Sequence, residues 1–193
     1  MKKQLLLLCF IFIHQVVYPV YFKHLGMSDG LSQVSVMSIY QDRLGRMWFG
    51  TREGVSVYDG ERMRVYKGWE NLDPESSINV LLGHECDHLA GNRHGDIFFR
   101  TCDSLVRYDI RKEKFCVVGG CKAKTVTSAN GDIWTGYDDR ICRYDEKGDS
   151  LQLYVKTNTP GISSLLISKR KIWVGTYGGL YVIEEDKKVR CLI

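Results

Sequence analysis

The chain lacks most of what would announce a chemistry. Its cysteines form no C-x-x-C, so a zinc knuckle is not indicated. The net charge of +4 includes Lys2 and Lys3 and is otherwise mixed in sign, with no Lys/Arg cluster, so nucleic acid is not expected as a partner. No Ser/His/Asp constellation can be argued at any spacing. Gly178-Gly179 reads as a turn requirement, and no glycine-rich phosphate loop follows from it. No segment after the N-terminal apolar run resembles a membrane span, a kinase or a DNA-binding helix pair, and no stretch offers an amphipathic helix. Whatever this chain senses must be transmitted by something outside it.

What is present is a phrase that returns four times: Gly45-Arg46-Met47-Trp48-Phe49-Gly50-Thr51, Gly95-Asp96-Ile97-Phe98-Phe99-Arg100-Thr101, Gly131-Asp132-Ile133-Trp134-Thr135-Gly136-Tyr137 and Arg170-Lys171-Ile172-Trp173-Val174-Gly175-Thr176. The aromatic anchors Trp48, Phe98, Trp134 and Trp173 are separated by steps of 50, 36 and 39 residues, near the roughly 40 to 50 of a propeller blade. Ten residues after each anchor stands Tyr58, Tyr108, Tyr144 or, in the last copy, Ile183. Within a copy, short alternating or apolar runs are bounded by Gly, Asp and Asn, which is strand chemistry. Copy one reads as strands over 34–40, 46–51, 55–58 and 63–66, with Asp59-Gly60 a strong hairpin signal.

The fold class that follows is all-β: about four four-stranded antiparallel blades of a β-propeller, near 34–66, 77–118, 123–155 and 162–193. One such sheet cannot bury its faces alone, and stacking copies around an axis does so. The Trp and Tyr anchors then fill the space between adjacent sheets. Four copies allow either a small closed ring or an open arc. The partial, open arc is favoured, because wedge angles suited to larger rings would have to widen to close with four.

The 193 residues, 44% of them hydrophobic, suit one folded unit. Met1–Val20 reads as an export signal, with Lys2-Lys3 before the apolar run from Leu5 to Ile13. That run is shorter than the about 20 apolar residues of a transmembrane helix. A small-residue cleavage site is not evident, so an uncleaved anchor stays open as the alternative. Cys9 belongs to the run; Cys86, Cys102, Cys116, Cys121, Cys142 and Cys191 form an even set that permits disulfides in an exported chain without specifying a pairing.

His84-Glu85-Cys86-Asp87-His88 matches H-E-x-x-H, which binds zinc only on a helix, where the spacing puts both histidines on one face. Here it follows the strand-like run 78–82 and reads as a strand end and a long turn, with His94 nearby. Neither a catalytic residue nor a metal or cofactor is therefore expected. A metal-dependent hydrolase through His84, Glu85 and His88 is the remote reading.

The stretch Leu25-Gly26-Met27-Ser28-Asp29-Gly30-Leu31-Ser32, followed by Val36-x-x-Ile39-x-Gln41-Asp42-x-x-Gly45-x-x-Trp48-Phe49-Gly50-Thr51-x-x-Gly54-Val55-x-x-Tyr58-Asp59-Gly60, resembles the opening of the two-component regulator propeller family. The resemblance covers nearly everything after residue 20 and weakens along the chain. It implies a non-enzymatic, periplasmic sensor region of a hybrid two-component system concerned with polysaccharide use, here truncated relative to the family's usual length. It also implies that Tyr21–Leu25 acts as a strand completing the last blade of a ring, and that companion blades or a sensor kinase chain are the protein partners. The alternative is a free-standing exported scaffold for protein interaction.

Position supplies the ligand-binding expectation. In a propeller, the turns between second and third strands and the connections between blades share one face. That face would carry Arg52, Glu53, Asp103, Asp138, Asp139 and Tyr177, with Trp69 on a connection, a charged and aromatic set suited to an oligosaccharide or a uronic acid.

Overall fold

In a computed structural model, the residues described are 21–67, 84–120 and 122–192. They form sixteen strands in four antiparallel sheets, each joined in sequence order. Blade 1 comprises β1 Val36–Gln41, β2 Met47–Thr51, β3 Gly54–Tyr58 and β4 Met63–Tyr66. Blade 2 comprises β5 Cys86–Gly91, β6 Ile97–Thr101, β7 Ser104–Asp109 and β8 Lys114–Val118. Blade 3 holds β9 Thr125–Ala129, β10 Asp132–Tyr137, β11 Arg140–Asp145 and β12 Ser150–Lys156; blade 4 holds β13 Ile162–Ser168, β14 Lys171–Thr176, β15 Gly179–Ile183 and β16 Val189–Cys191.

The turns explain why the strands begin where they do. In blade 1 the Asp42 carboxylate accepts the Leu44 and Arg46 backbone N–H groups at 2.9 and 3.0 Å, and its other oxygen accepts Arg46 Nε at 2.7 Å and Trp48 Nε1 at 2.8 Å. One side chain thus sets the β1–β2 turn and orients the anchor. Burial pushes this carboxyl up, but the hydrogen bonds from Trp48 and Arg46, with the Arg46 charge, outweigh it and hold it below the usual carboxylate range. Asn92 repeats the device in blade 2, accepting His94 and Asp96 N–H, both at 2.9 Å.

That second turn relocates the H-E-x-x-H residues. Cys86–Gly91 is the first strand of blade 2, so the motif runs into a strand and is not the strand end and long turn expected from the sequence. The reason is register: Asn92–Gly95 takes the place of Asp42–Gly45, which pulls the preceding six residues into the sheet. The run 78–82 and Cys121 lie outside the described residues.

The blades stack in series through three cores. Trp48, Val55 and Val57 of blade 1 meet Ile97, Phe99, Val106, Tyr108 and Phe115 of blade 2. Phe98 and Leu105 meet Val126, Ile133, Cys142, Tyr144 and Leu151 of blade 3, and Trp134 and Ile141 meet Ile162, Leu165, Ile172, Val174 and Ile183 of blade 4. Trp48, Phe98 and Trp134 therefore each point toward the following blade. Trp48 is 1% exposed, Phe98 0% and Trp134 8%.

The two sequence series, aromatic anchor and tyrosine ten residues on, are joined across the seams. Trp48 meets Tyr108 of blade 2 in a tilted contact with ring centroids 5.1 Å apart, and Phe98 meets Tyr144 of blade 3 edge to face at 4.8 Å. Such pairs add to the area they bury. Glycines two residues after the anchors allow the close approach: a Cβ at Gly50 would run into the Cys86 carbonyl oxygen, and one at Gly136 would sit 2.6 Å from Ile162 Cγ2.

The first strands β1, β5, β9 and β13 pack one against the next along the inner edge, but β1 and β13 do not pack on each other. The four sheets form an open arc. Blade 4 supplies all four of its own strands, and residues 21–26 form none, so the expectation that Tyr21–Leu25 completes the last blade is corrected. Instead the N-terminal segment lies on blade 1. Leu31 is buried, Ser32 bonds Ser56 and Thr51, and Lys23 sits over the Tyr58 ring.

Candidate functional site

The turns linking second and third strands lie on one face with the inter-blade connections, and main-chain hydrogen bonds tie the two together. Gly54 N–H donates to the His84 carbonyl, Ala123 N–H to that of Asp103 at 2.8 Å, and Ile162 N–H to that of Asp138 at 3.1 Å. Each turn thereby holds the start of the next blade. Where copies two and three lack the turn glycine, Asp103 and Asp138 adopt φ of 59° and 54°; aspartate tolerates this left-handed region because its short side chain can bond locally.

This face gathers part of the expected set. Asp103 of blade 2, Asp138 of blade 3 and Tyr177 of blade 4 line one cleft of about 320 Å³ together with Lys124, Tyr137, Gly161 and Ile162. Tyr177 is 83% exposed and stands at the rim. Asp138 and Tyr137 also line an adjoining cleft of about 400 Å³ with Gly120, Lys122 and Arg140, and Lys122 Nζ lies 5.4 Å from the Tyr137 ring centroid. Both volumes fall within the about 300–1,000 Å³ of small-molecule sites.

The remaining expected residues lie elsewhere. Glu53 pairs with Lys67 at 3.3 Å and Arg52 approaches Glu85 at 4.0 Å, both on the blade 1 side. Asp139 approaches Arg140 at 3.9 Å, while its carbonyl accepts the Thr157 N–H. Trp69 lies outside the described residues.

Two contributors escaped the sequence reading. Tyr137 stands where the other copies carry Thr51, Thr101 and Thr176, a departure that was visible in the repeat. Lys124 sits on an inter-blade connection and carried no signal of its own. His88 is in the innermost strand at a bulge between Asp87 and Ala90, with φ of 51° and its Nδ1 3.4 Å from Thr125 Oγ1. Burial, with the Arg100 and Lys124 charges, lowers its pKa against the pull of Asp87.

The other half of the H-E-x-x-H motif is engaged in charge pairing. Glu85 lies 3.7 Å from Arg100, which also grips Asp87 through Nε at 2.8 Å and through Nη2. Among the described residues no three His, Cys, Asp or Glu side chains converge as metal ligands would. On the opposite face a cavity of about 410 Å³ is lined by Arg93, Asp132, Arg143, Asp145, Gln152 and Tyr154. Several of its polar groups are paired: Arg93 and Arg143 both bind Asp132, and Gln152 donates to Asp145 at 2.9 Å.

Against known proteins, the family described as Two component regulator propeller matches here over residues 30–53, the span holding the Asp42 turn, the Trp48 anchor and Gly50. Over those residues the chain is similar to a two component regulator propeller repeat. A curated relative, histidine kinase P4 of Formosa agariphila, is 41% identical over 59 residues, which is 31% of this chain and 4% of the kinase. A solved extracellular domain from B. thetaiotaomicron, described as part of a hybrid two component system, superposes with a TM-score of 0.73 at 23% identity, covering 89% of this chain and 26% of that one. Streptogramin B lyase superposes at 0.61 with 15% identity over 83% of this chain and 55% of the lyase. The chain thus spans a small part of the kinase and about a quarter of the solved extracellular domain. At these identities the two superpositions show the shared propeller fold. Among the described residues no helix is long and apolar enough to cross a membrane.

Proposed function

We propose that the chain is a non-catalytic, extracytoplasmic sensing module of a two-component system, exported through Met1–Val20, that binds an oligosaccharide on the face holding Asp103, Asp138 and Tyr177. The observation that carries this reading is the cleft itself, to which three successive blades contribute. A ligand there would contact blades 2, 3 and 4 at once and bias how they sit together. The exposed Tyr177 ring offers a sugar-stacking surface, Lys124 suits a uronate carboxylate, and Asp103 and Asp138 suit hydroxyl groups. The regulator-propeller repeat and the likeness to an extracellular domain of a hybrid system support the signalling role.

Catalysis through the H-E-x-x-H residues is disfavoured because the motif runs from a bend at His84 into the strand Cys86–Gly91, with no helix to bring both histidines to one face, and because Glu85 pairs with Arg100. The test is thermal melting against a panel of neutral and uronic-acid oligosaccharides. A ligand at about 100 times its Kd stabilises the folded state by about 2.7 kcal/mol, and the resulting shift is expected to vanish in Tyr177→Ala and Lys124→Ala while the unliganded melt stays in place. No shift with any sugar, or a shift insensitive to both substitutions, would sink the proposal.

A further inference from the structure

The Tyr177 cleft shares a wall with the adjoining cleft, and that wall is where the third repeat departs from the other three. Thr51, Thr101 and Thr176 end the second strands of blades 1, 2 and 4, whereas Tyr137 ends that of blade 3. The threonine has a structural use. Thr51 Oγ1 donates to the Gly54 carbonyl at 3.1 Å and accepts the Glu53 N–H at 3.0 Å, and Thr176 Oγ1 does the same with Gly179 and Gly178, both at 3.1 Å. A tyrosine carries its hydroxyl at the far end of a ring and gives up both bonds. What stands in exchange is an aromatic ring that, with Asp138, lines both clefts.

The ring has a partner on the inter-blade connection. Lys122 Nζ lies 5.4 Å from the Tyr137 centroid, within reach of a cation–π contact. The backbone beneath is pinned: Ala123 is fully buried and donates its N–H to the Asp103 carbonyl, and the Lys124 N–H donates to the Gly136 carbonyl, both at 2.8 Å. Lys122 and Lys124 are exposed on either side of Ala123, and among the described residues neither has a carboxylate within the 4.0 Å of an ion pair. The two clefts differ in charge as a result. The Tyr177 cleft sets Lys124 against Asp103 and Asp138, whereas the adjoining one sets Lys122 and Arg140 against Asp138, with Asp139 3.9 Å from Arg140.

We propose that the adjoining cleft is an anion subsite in which Tyr137 positions Lys122, so that the site selects an oligosaccharide carrying a uronic acid unit next to a neutral one. This rests on the reading that the Tyr177 cleft takes an oligosaccharide. The neutral unit stacks on Tyr177, whose ring packs on Gly161 closely enough that a Cβ there would lie 2.5 Å from it, and Asp103 accepts from its hydroxyl groups. The acidic unit lies across Tyr137, where the Lys122 and Lys124 ammonium groups donate to its carboxylate. A free lysine has rotamer freedom to lose when it binds; the Tyr137 ring restrains Lys122 beforehand, and such preorganisation raises affinity.

The experiment is titration calorimetry of the full chain with glucuronosyl-galactose and galacturonosyl-rhamnose, each as the free acid and as its uncharged methyl ester. At least one acid is expected to bind about tenfold tighter than its ester, the worth of a charge-assisted hydrogen bond, and added salt should narrow that ratio. The ratio should fall toward one in Lys122→Gln and in Tyr137→Thr, which restores the threonine of the other repeats, and should survive in Tyr137→Phe, which keeps the ring. A purely structural role for Tyr137 would weaken acid and ester alike and leave their ratio unchanged. Lys122 is exposed, so its variant tests the same ratio even if Tyr137→Thr fails to fold. Equal binding of acid and ester, or a ratio insensitive to Lys122→Gln, would overturn the anion subsite while leaving oligosaccharide binding in place. Binding of neutral sugars with neither acid nor ester bound would do the same, and silence from every sugar would overturn both readings together.

Discussion

The seam between blades 1 and 2 and the outward face of blade 4 use the same residues to different effect. Trp48 and Trp173 sit at equivalent positions, each followed two residues later by glycine. Trp48 is buried, packed at a tilt against Tyr108 and held through Nε1 by Asp42, whereas Trp173 is partly exposed and meets no ring among the described residues. The repeat thus encodes a capacity for burial, and burial itself depends on whether another sheet is there to receive the side chain.

The sharpest way to break this comparison is to truncate both tryptophans. Trp48→Ala is expected to cost about 3–5 kcal/mol in urea denaturation, the range for emptying a packed aromatic site. Trp173→Ala, measured in dilute monomer, should cost less than about 1 kcal/mol. Equal losses would show that blade 4's forward face contributes to the monomer's core.

Asp42→Ala probes the polar half of the same seam. Removing the carboxylate leaves Arg46, the Trp48 indole N–H and two main-chain N–H groups without their acceptor, and the loss of one partner in such a buried ionic group costs about 3–5 kcal/mol. The folded-state pKa of Asp42 is depressed, so its stabilisation is present above the ordinary value of 3.8 and is lost as pH falls through the lower folded value. An acid titration of stability should therefore be shallower in Asp42→Asn than in the wild type. Unchanged slopes would remove Asp42 from that role.

A milder perturbation tests how closely the blades fit. Gly136→Ala introduces a methyl group within 2.6 Å of Ile162 and about 3.1–3.2 Å of Thr125 and Leu165, and such overpacking costs about 1–3 kcal/mol. Gly175→Ala, on the outward face, meets mainly the Ser164 hydroxyl, which can rotate away, and should cost less. The smallest effect belongs to His88. Its pKa is lowered by burial, so its contribution is full above the ordinary 6.5 and is lost as pH falls through the folded value. Melting at pH 5.5 against 7.5 should show a modest loss that disappears in His88→Asn.

The repeat was legible because its signals are local and recur. An anchor, a glycine two residues on and a tyrosine ten residues on sufficed to read four blades of four strands, and Asp59-Gly60 marked a hairpin that is present. The first strand of blade 2 was misplaced because Cys86–Gly91 carries Asp87, His88 and two small residues and so lacks an apolar rhythm. Its register is set by Asn92, whose role in the turn depends on backbone N–H groups that no composition reveals. On the candidate site, Asp103, Asp138 and Tyr177 could be placed by turn position. Lys124 and Tyr137 required the blades to be stacked before they could be seen beside them.

By itself the sequence determined the strand periodicity, the number of blades and the identity of the side chains that wedge between them, since these follow from alternation and from turn residues within about 40 to 50 positions. Tertiary structure alone decided that Trp48 and Phe98 reach forward to the next blade's tyrosine, that the arc is open, and that one end displays Trp173 while the other displays Ile39 and Tyr58. Those are consequences of sheet-to-sheet packing angle and of the sense in which the blades stack. Neither quantity is written in any single repeat, because each arises only when two sheets bury a face against each other.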